Sequence, residues 1–473
     1  MIKKLLAASL ILLIGACSTI SGPEYERPEA PAKTGWSLNP IDPSKGTEVI
    51  RLDWWTEFQD PYLNSLVEKA LTDNINIQVA AARVDEAKAG IQRGEAAKLP
   101  QLTLGGSAQR QIAGEVGGSP ASLSITESAG ALSWELDIWG KLKKGIAAQQ
   151  AAYHATEADW RGTWLLITAS VADKYFLIRQ FDEQIEYQNK ALETSRAILS
   201  TFERQMQQGL RLRAEVIAQK AEISLLQTQL LELSRRRSIT QNELATLLGI
   251  PSGDFHVSSA DLQDTVMIPD VPAGIPSDLL SRRPDIIAAE YNLLALHQLV
   301  GKARLAKLPS ISLTGTGGVS NLLSTAVKFW TFGIGPSINI PIFDPNVQAT
   351  IDVTEAQEKV AENTYRLTVI NAFQEVENAL VNLHNHREQR REIQERVKYL
   401  EAVANLVRTR LESGMVTQLE VFEVERSLLG GSLELLQNHQ QILFDIITLY
   451  KALGGGWPPV SVSESAAPQL ENF

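Results

Sequence analysis

Apolar residues along the 473-residue chain keep three different rhythms. In the first they alternate. Leu132, Trp134, Leu136 and Ile138 are separated by Ser133, Glu135 and Asp137. Phe332, Ile334, Ile338, Ile340 and Ile342 alternate in the same way with Thr331, Gly333, Ser337 and Asn339. A period of two predicts strands with one apolar face. Each has an upstream partner, near 100–112 and 308–320, across the turn-rich stretches Gly114–Pro120 and Ser320–Thr325. The reading is two β-hairpins, 99–139 and 308–343, and about four long strands. In the second rhythm Ile393, Val397, Leu400, Ala404, Val407 and Leu411 step by fours and threes, and Ile223, Leu226, Leu230 and Leu233 keep similar time. This is coiled-coil spacing, although an ordinary bundle core has nearly the same period. Proline is absent from Ala121 to Ile250 and from Asn346 to Trp457, which predicts very long helices. A lone glycine, Gly209 or Gly414, stands near the middle of each run, where a helical hairpin needs a residue free to take positive φ. Residues 346–413 as one helix would reach roughly 100 Å, several times a bilayer core. The third rhythm is an unbroken apolar run, Leu5 to Ile14, after Lys3 and Lys4 and before small residues. At about 10 residues it is half a membrane span and has the form of a secretory signal.

The chain also repeats itself. Ala97-Lys98-Leu99-Pro100 returns as Ala306-Lys307-Leu308-Pro309, Gly209 pairs with Gly414, Glu215-Val216 with Glu420-Val421, and Leu248-Gly249 with Leu453-Gly454. The offsets stay within roughly 205–209 residues, so the chain reads as a duplication. Each half runs helix, β-hairpin, long helical hairpin, with the first helices near 75–97 and 286–305. The expected organisation is a signal at 1–16, an N-terminal tether at 17–60, a first repeat at 61–250, a proline-rich surface linker at 251–285, a second repeat at 286–457 and a tail at 458–473. Trp457-Pro458-Pro459 is expected to end the last helix.

Cys17 is the only cysteine, so no disulfide can form within one chain. Ile14-Gly15-Ala16-Cys17 resembles the bacterial lipobox, with Gly15 departing from its usual form. The resemblance implies a lipidated Cys17 as the first mature residue, and Ser18 after it implies sorting to the outer membrane. The plainer alternative is an incidental thiol in a discarded signal. Loss of Lys3 and Lys4 leaves 42 basic against 55 acidic residues, a net charge of −13, which argues against nucleic acid as a partner. No later stretch holds 18 consecutive apolar residues, so a membrane crossing falls to a closed β-barrel. Four strands cannot close one, and an open sheet would leave two bare edges in lipid. Several copies sharing a barrel remove the edges; the physics leaves their number open.

Four stretches together resemble the RND-associated outer-membrane factors, the TolC-like and NodT-type lipoproteins. They are Asp53-Trp54-Trp55-Thr56-Glu57-Phe58 with Asp60-Pro61, then Leu136-Asp137-Ile138-Trp139-Gly140-Lys141-Leu142, then Val271 to Leu280 running into Arg282-Arg283-Pro284-Asp285-Ile286, and Gly414 to Val421 with Glu425-Arg426-Ser427-Leu428. The resemblance implies a mainly α fold with a membrane β part. That is a homotrimer whose 12-stranded barrel, four strands per protomer, continues into a 12-helix tunnel of long coiled coils with a mixed α/β equatorial belt. It implies a passive exit duct for small molecules across the periplasm and outer membrane, the outer-membrane channel of a tripartite efflux pump. Its partners would be a periplasmic adaptor and an inner-membrane RND transporter, which open its closed periplasmic end.

The tips near Gly209 and Gly414 would form that entrance. Glu420 and Glu423 correspond to acidic side chains that ring the constriction in related channels, and Glu215 is the equivalent in the first half. Three apart, Glu420 and Glu423 share a helix face; the alternative is that they solvate a helix surface. Arg204, Arg211, Arg213, Arg408 and Arg410 lie near the tips, where ion pairs between helices would latch a closed state, or where they too are a solvated face. No phosphate-binding loop, zinc-binding His-Glu-x-x-His or hydrolase elbow occurs, and the six histidines are scattered, so neither catalysis nor a cofactor is expected. His384 and His386, the closest pair, diverge on a helix. An exit channel for secreted proteins and a pore-less periplasmic tether are the competing readings. The cargo is open, and four methionines offer no soft-metal path.

Overall fold

The structure, a computed structural model, describes residues 24–31, 33, 35–38, 50–113, 121–259, 262, 266–271, 278–322, 327–460 and 462. Cys17 and the signal lie outside the described residues. A short 3-10 helix, Trp54–Phe58, leads into α1 (Pro61–Asp73) and α2 (Ile75–Ala96). The hairpin β1 (Gln101–Ala113) and β2 (Ala121–Leu136) follows, then α3 (Lys141–Gln207) and α4 (Arg213–Leu247). The second half begins with the single turn α5 (Leu279–Arg282) and α6 (Pro284–Leu305). It continues through β3 (Ser310–Leu322), β4 (Val327–Asn339), α7 (Pro345–Glu412) and α8 (Gln418–Ala452).

The strands form one antiparallel meander in the order β1-β2-β3-β4. Gln101 pairs with Ser133, Ser133 with Thr314, and Thr314 with Gly335, so the hairpins of the two halves join through β2 and β3. Both edges, β1 and β4, lack a partner strand among the described residues of the protomer. Pro336, which cannot donate to a ladder, sits on the edge strand β4. Ile340 and Ile342 lie beyond the end of β4, although the alternation runs through them.

The helices stand as four columns. The 67-residue α3 and 68-residue α7 are continuous rods of about 100 Å at 1.5 Å per residue. The other two columns are stacked from shorter helices, α2 on α4 and α6 on α8. α3 packs between them, and α7 packs on α6 and α8. The stacking joints reveal how the duplication is built. In the first half Asn74 caps α2 by accepting from Asn76 N and Ile77 N, and its Nδ2 donates to Leu247 O at the end of α4 (2.7 Å). In the second half Arg283 stands at the start of α6 and its Nη1 donates to Ala452 O at the end of α8 (2.9 Å). Gly249 and Gly454, both at positive φ, bring each helix end against that joint. A Cβ on Gly249 would lie 2.4 Å from Asp73 O, and one on Gly454 3.1 Å from Arg282 O. Different side chains thus close the same joint in the two repeats. α8 stops here at Ala452, short of Trp457, because Gly454, Gly455 and Gly456 all take positive φ.

The main core sits at these joints. Trp54 is fully buried and stacks on Tyr450 at 4.9 Å, and Phe58 meets Phe176 edge-on at 5.0 Å. The proline-rich segment between the repeats was expected to drape over the surface. Instead Val257, Leu262, Val266 and Val271 are buried in this core, where these spaced apolar side chains gain more from burial against the stacked helix ends than from contact with water. In the coiled-coil arms, Ile393, Val397 and Ala404 are buried, as are Ile223 and Leu226. Gly431 lets α8 approach α7 closely; a Cβ there would lie 3.1 Å from Leu400.

Candidate functional site

Two regions carry the features a conduit needs, the sheet and the far ends of the long helices. In the sheet, the register places Leu102 and Leu104 beside Leu132 and Trp134, then Ile311, Leu313 and Val319, then Trp330, Phe332, Ile334 and Ile338 on one face. The opposite face holds Thr103, Ser107, Gln109, Ala131, Ser133, Ser312, Thr314, Thr316, Thr331 and Ser337. The apolar face is bare: Trp330 is 80% exposed and Phe332 78%. Beside them the strand carries glycines, and Phe332 lies over Gly317, 3.5 Å from where a Cβ would stand. A naked aromatic face of this extent is unstable in water and suited to lipid. Strands of 13–16 residues, tilted as barrel strands are, rise about 33–40 Å, enough to cross the hydrocarbon. Among the described residues no helix is long and apolar enough to cross a membrane.

The strand-to-helix junctions are fixed by local chemistry. The Asp137 carboxylate accepts from Leu142 N and Lys143 N at 2.9 and 2.8 Å, capping α3, while Gly140 turns the chain at φ +79°. Trp139 Nε1 donates to Pro309 O at 2.6 Å, tying the first junction to the start of β3. Asp344 caps α7 in the second half by accepting from Asn346 N at 2.9 Å. The sheet is therefore set firmly on the helical columns.

At the far end, Gly209 and Gly414 take φ +73° and +71°. Leu210 N donates to Gln205 O and Met415 N to Arg410 O, both 2.9 Å, so each glycine closes its long helix with a Schellman turn. Glu215 and Glu420 occupy the third position of the returning helices. Glu215 accepts from Leu212 N (3.0 Å) and pairs with Arg211 (3.1 Å). Thr417 Oγ1 donates to Glu420 Oε1 (3.0 Å) and accepts from Glu420 N (3.3 Å). The Glu215 carboxylate therefore caps α4 itself, whereas Glu420 holds the Thr417 hydroxyl that caps α8. Glu423, one turn on, is exposed and pairs with Arg426 (3.1 Å). The ion pairs at the tips stay inside one hairpin: Lys220 with Glu203 (2.8 Å), and Arg408 with Glu425 (3.0 Å). Among the described residues none joins one hairpin's tip to the other's. That contact is apolar. Phe422 of α8 packs on Ile198, Phe202 and Val216 of the first hairpin, and the Arg211 guanidinium lies 3.7 Å from the Phe202 ring centre. Arg204 donates to Thr201 Oγ1 on its own helix (3.3 Å). Arg213 and Arg410 are exposed at the turn.

Between these ends lies a belt of buried polar groups that the sequence did not disclose. The Asp60 carboxylate caps α1 and accepts from the Tyr175 hydroxyl, which in turn accepts from Arg179 Nε at 3.1 Å. Arg237 pairs with buried Asp182 and donates to Val257 O at 2.8 Å. Arg27 pairs with Glu290, whose carboxyl is nevertheless pushed up by burial. Lys33 and Ser37 both hold Glu377 of α7, so the N-terminal strap is bound to the helices by charge. His386 faces Asp445 of α8, whereas His384 points to solvent. No group of side chains with metal-ligand geometry occurs among the described residues.

A sheet with one face fit for lipid, set on helical columns too long and polar for a bilayer, defines a membrane channel with a long projecting helical barrel. The chain belongs to the outer membrane efflux protein family, which matches it twice, at residues 66–250 and 275–455. The two matches fall one on each half of the duplication. The chain is 32% identical over 467 residues to the pyoverdine export outer membrane protein OpmQ of Pseudomonas putida, covering 96% of this chain and 97% of the relative. It is 30% identical to the cation efflux system protein CusC of Escherichia coli, covering 96% and 99%. The crystal structure of the open state of the Neisseria gonorrhoeae MtrE outer membrane channel superposes with a TM-score of 0.79 at 26% identity, covering 92% of this chain and 98% of that one. The protein is accordingly an outer-membrane efflux channel, spanning that membrane with its sheet and extending into the periplasm with its helices.

Proposed function

We propose that three copies of this chain close into one tube and serve as the passive exit duct of a tripartite pump. A periplasmic adaptor and an inner-membrane RND transporter open it at the helical tips. The observation that supports this reading is the four-stranded meander with two bare edges and a lipid-fit face. Joining β1 of one copy to β4 of the next satisfies every backbone group. The helices support the same arrangement. Val353, Val360 and Leu367 form a heptad stripe on α7 that is 57%, 67% and 56% exposed in the protomer, awaiting the α2 and α4 column of a neighbour. The two repeats at 61–250 and 286–457 would each supply two columns and one hairpin. Cys17, lipidated, would anchor the strap that Lys33 and Arg27 fasten to the helices. The test is direct: purified protein should run as a trimer in mild detergent and conduct in planar bilayers. A stable, non-conducting monomer would overturn the reading.

The tips would be the entrance, with Gly209 and Gly414 making the turns and three copies each of Glu215, Glu420 and Glu423 facing a narrow axis. The small apolar contact at Phe422, with no ion pair joining the hairpin tips among the described residues, suits a gate that a partner must pull open. The exposed ion pairs that do form there lie within one hairpin and contribute on the order of 1 kcal/mol or less each, so they add nothing to the latch between hairpins. Replacing Glu420 and Glu423 together by Gln should reduce the preference for K⁺ over Cl⁻ several-fold, read from reversal potentials across a salt gradient. The bond from the Thr417 cap hydroxyl to Glu420 predicts a small stability loss alongside, about 1 kcal/mol or less, since Gln keeps an acceptor for it. Selectivity unchanged in the double variant would remove these carboxylates from the constriction.

A further inference from the structure

The bare face of the sheet carries two charged residues among the described ones, and both are cations. Arg110 of β1 lies on the same face as Leu102 and Leu104, and Lys328 of β4 on the same face as Trp330 and Phe332. Both side chains are exposed, and neither has a side-chain partner among the described residues. No described carboxylate shares the face. The acids of the strands, Glu127 and Glu135, fall on the opposite one, where they pair in the register with Ser107 and Ser312. The two cations also stand near the same end of the sheet: across the register Lys328 is level with Ala108, the next position on the face from Arg110. Arg110 stands three residues before the end of β1 at Ala113, and Lys328 is the second residue of β4. Both are therefore at the ends of the strands remote from the helices. Stepping from that end along β4 by twos, the face reads Lys328, Trp330, Phe332, Ile334: cation, indole, phenyl, aliphatic. Indoles settle at the boundary between hydrocarbon and headgroups, and long basic side chains reach beyond it. The sequence of side chains thus sets Arg110 and Lys328 at headgroup depth in the leaflet away from the periplasm.

We propose that Arg110 and Lys328 form a cationic collar on the outer rim that binds the phosphate groups of a net-anionic, phosphate-bearing lipid of the outer leaflet. The proposal rests on the barrel reading above. Two cations at the edge of hydrocarbon need an anion, and the described residues supply none on that face. Phosphate suits both: a guanidinium takes two of its oxygens in parallel, and an ammonium meets it as a point charge. A zwitterionic headgroup offers phosphate already compensated by its own cation, so a lipid with net negative charge is favoured. The two residues lie on the strands that bound each protomer's sheet, so three copies would present six such cations around the rim.

The full-length channel, in nanodiscs of phosphatidylcholine, would be titrated with bisphosphorylated lipid A and, separately, with the same lipid stripped of phosphate. Bound lipid would be counted by native mass spectrometry. Each cation near a charged lipid surface contributes a factor of about five in affinity. The wild-type protein should therefore prefer the phosphorylated lipid roughly thirtyfold. Arg110→Gln and Lys328→Gln should each reduce this to about fivefold, and the double variant should abolish it, whereas Arg110→Lys should keep most of it. A double variant that keeps the wild-type preference, or a wild-type protein with none, would overturn the collar. So would inorganic phosphate that protects the trimer from heat as well as the lipid does. Conductance in planar bilayers, measured on the same preparations, should be unchanged in every variant. A wild-type protein lacking both conductance and a trimer would count against the barrel reading instead.

Discussion

Phe332→Arg should abolish assembly in the outer membrane, while Thr331→Arg, one residue earlier, should assemble and change what the pore conducts. Phe332 is near the middle of β4 and lies on the apolar face, 78% exposed in the protomer. An arginine facing lipid at mid-depth in a β-barrel costs about 2–4 kcal/mol. Three copies around one barrel bring this to roughly 6–12 kcal/mol, comparable with the whole stability of many folded proteins. The ring's contact over Gly317 is lost as well. Thr331 points to the other face, whose Ser and Thr side chains are fit for water. Three guanidinium groups there add positive charge to the bore at little cost in lipid. Heat-modifiable trimer in outer-membrane fractions should fall to background for Phe332→Arg and stay near wild type for Thr331→Arg. The latter should shift the reversal potential toward anions. Because strand side chains alternate strictly, a register shift of one residue would exchange the two outcomes. Equal insertion of both variants would mean that neither face meets lipid.

That contrast was readable from sequence because it depends on a local period. The same holds for Gly209 and Gly414: a long run without proline, interrupted by one glycine, has few conformations other than a turn. The Thr417 cap was also present as a local signature, since Thr417-Gln418-Leu419-Glu420 has the Thr-x-x-Glu form of a capping box, of which the structure forms the threonine half and turns Glu420 onto the threonine hydroxyl. The family resemblance drew attention to the glutamate's charge instead. The belt was not legible. Nothing near Asn74 or Arg283 in the chain announces that each closes a helix joint with a carbonyl far away in sequence, Leu247 in one case and Ala452 in the other. The two repeats even use different chemistry, a neutral amide and a guanidinium, so comparing the halves would not have found them. The linker failed for a related reason. Its prolines and polar residues are the composition of a surface segment, yet Val257, Leu262, Val266 and Val271 find their burial only against helices from both repeats. Burial of this kind depends on which columns stand side by side, and that is set by the fold as a whole.

The belt can be tested where its charges are most deeply enclosed. Asp182 of α3 has a side chain only 4% exposed, and it faces two guanidinium groups, Arg237 of α4 and Arg179 one turn away at 3.7 Å. Those same arginines hold the linker backbone, Arg237 through Val257 O and Arg179 through Ser258 O. The carboxylate is thus the counter-charge for both clamps. Asp182→Ala would leave two enclosed cations without it, and breaking a buried pair from one side costs about 3–5 kcal/mol. Asp182→Asn keeps an acceptor for Arg237 and should lose less, roughly 1–3 kcal/mol. The expected signature is specific to place. The alanine variant should melt at a lower temperature, and limited proteolysis should cut first within residues 251–259. The sheet lies about 60 Å away along α3, so single-channel conductance of the surviving trimers should match wild type. Should the alanine variant melt within about 1 kcal/mol of wild type and its linker resist protease, the linker would be held by its buried valines and leucine, and the arginine clamps would be incidental.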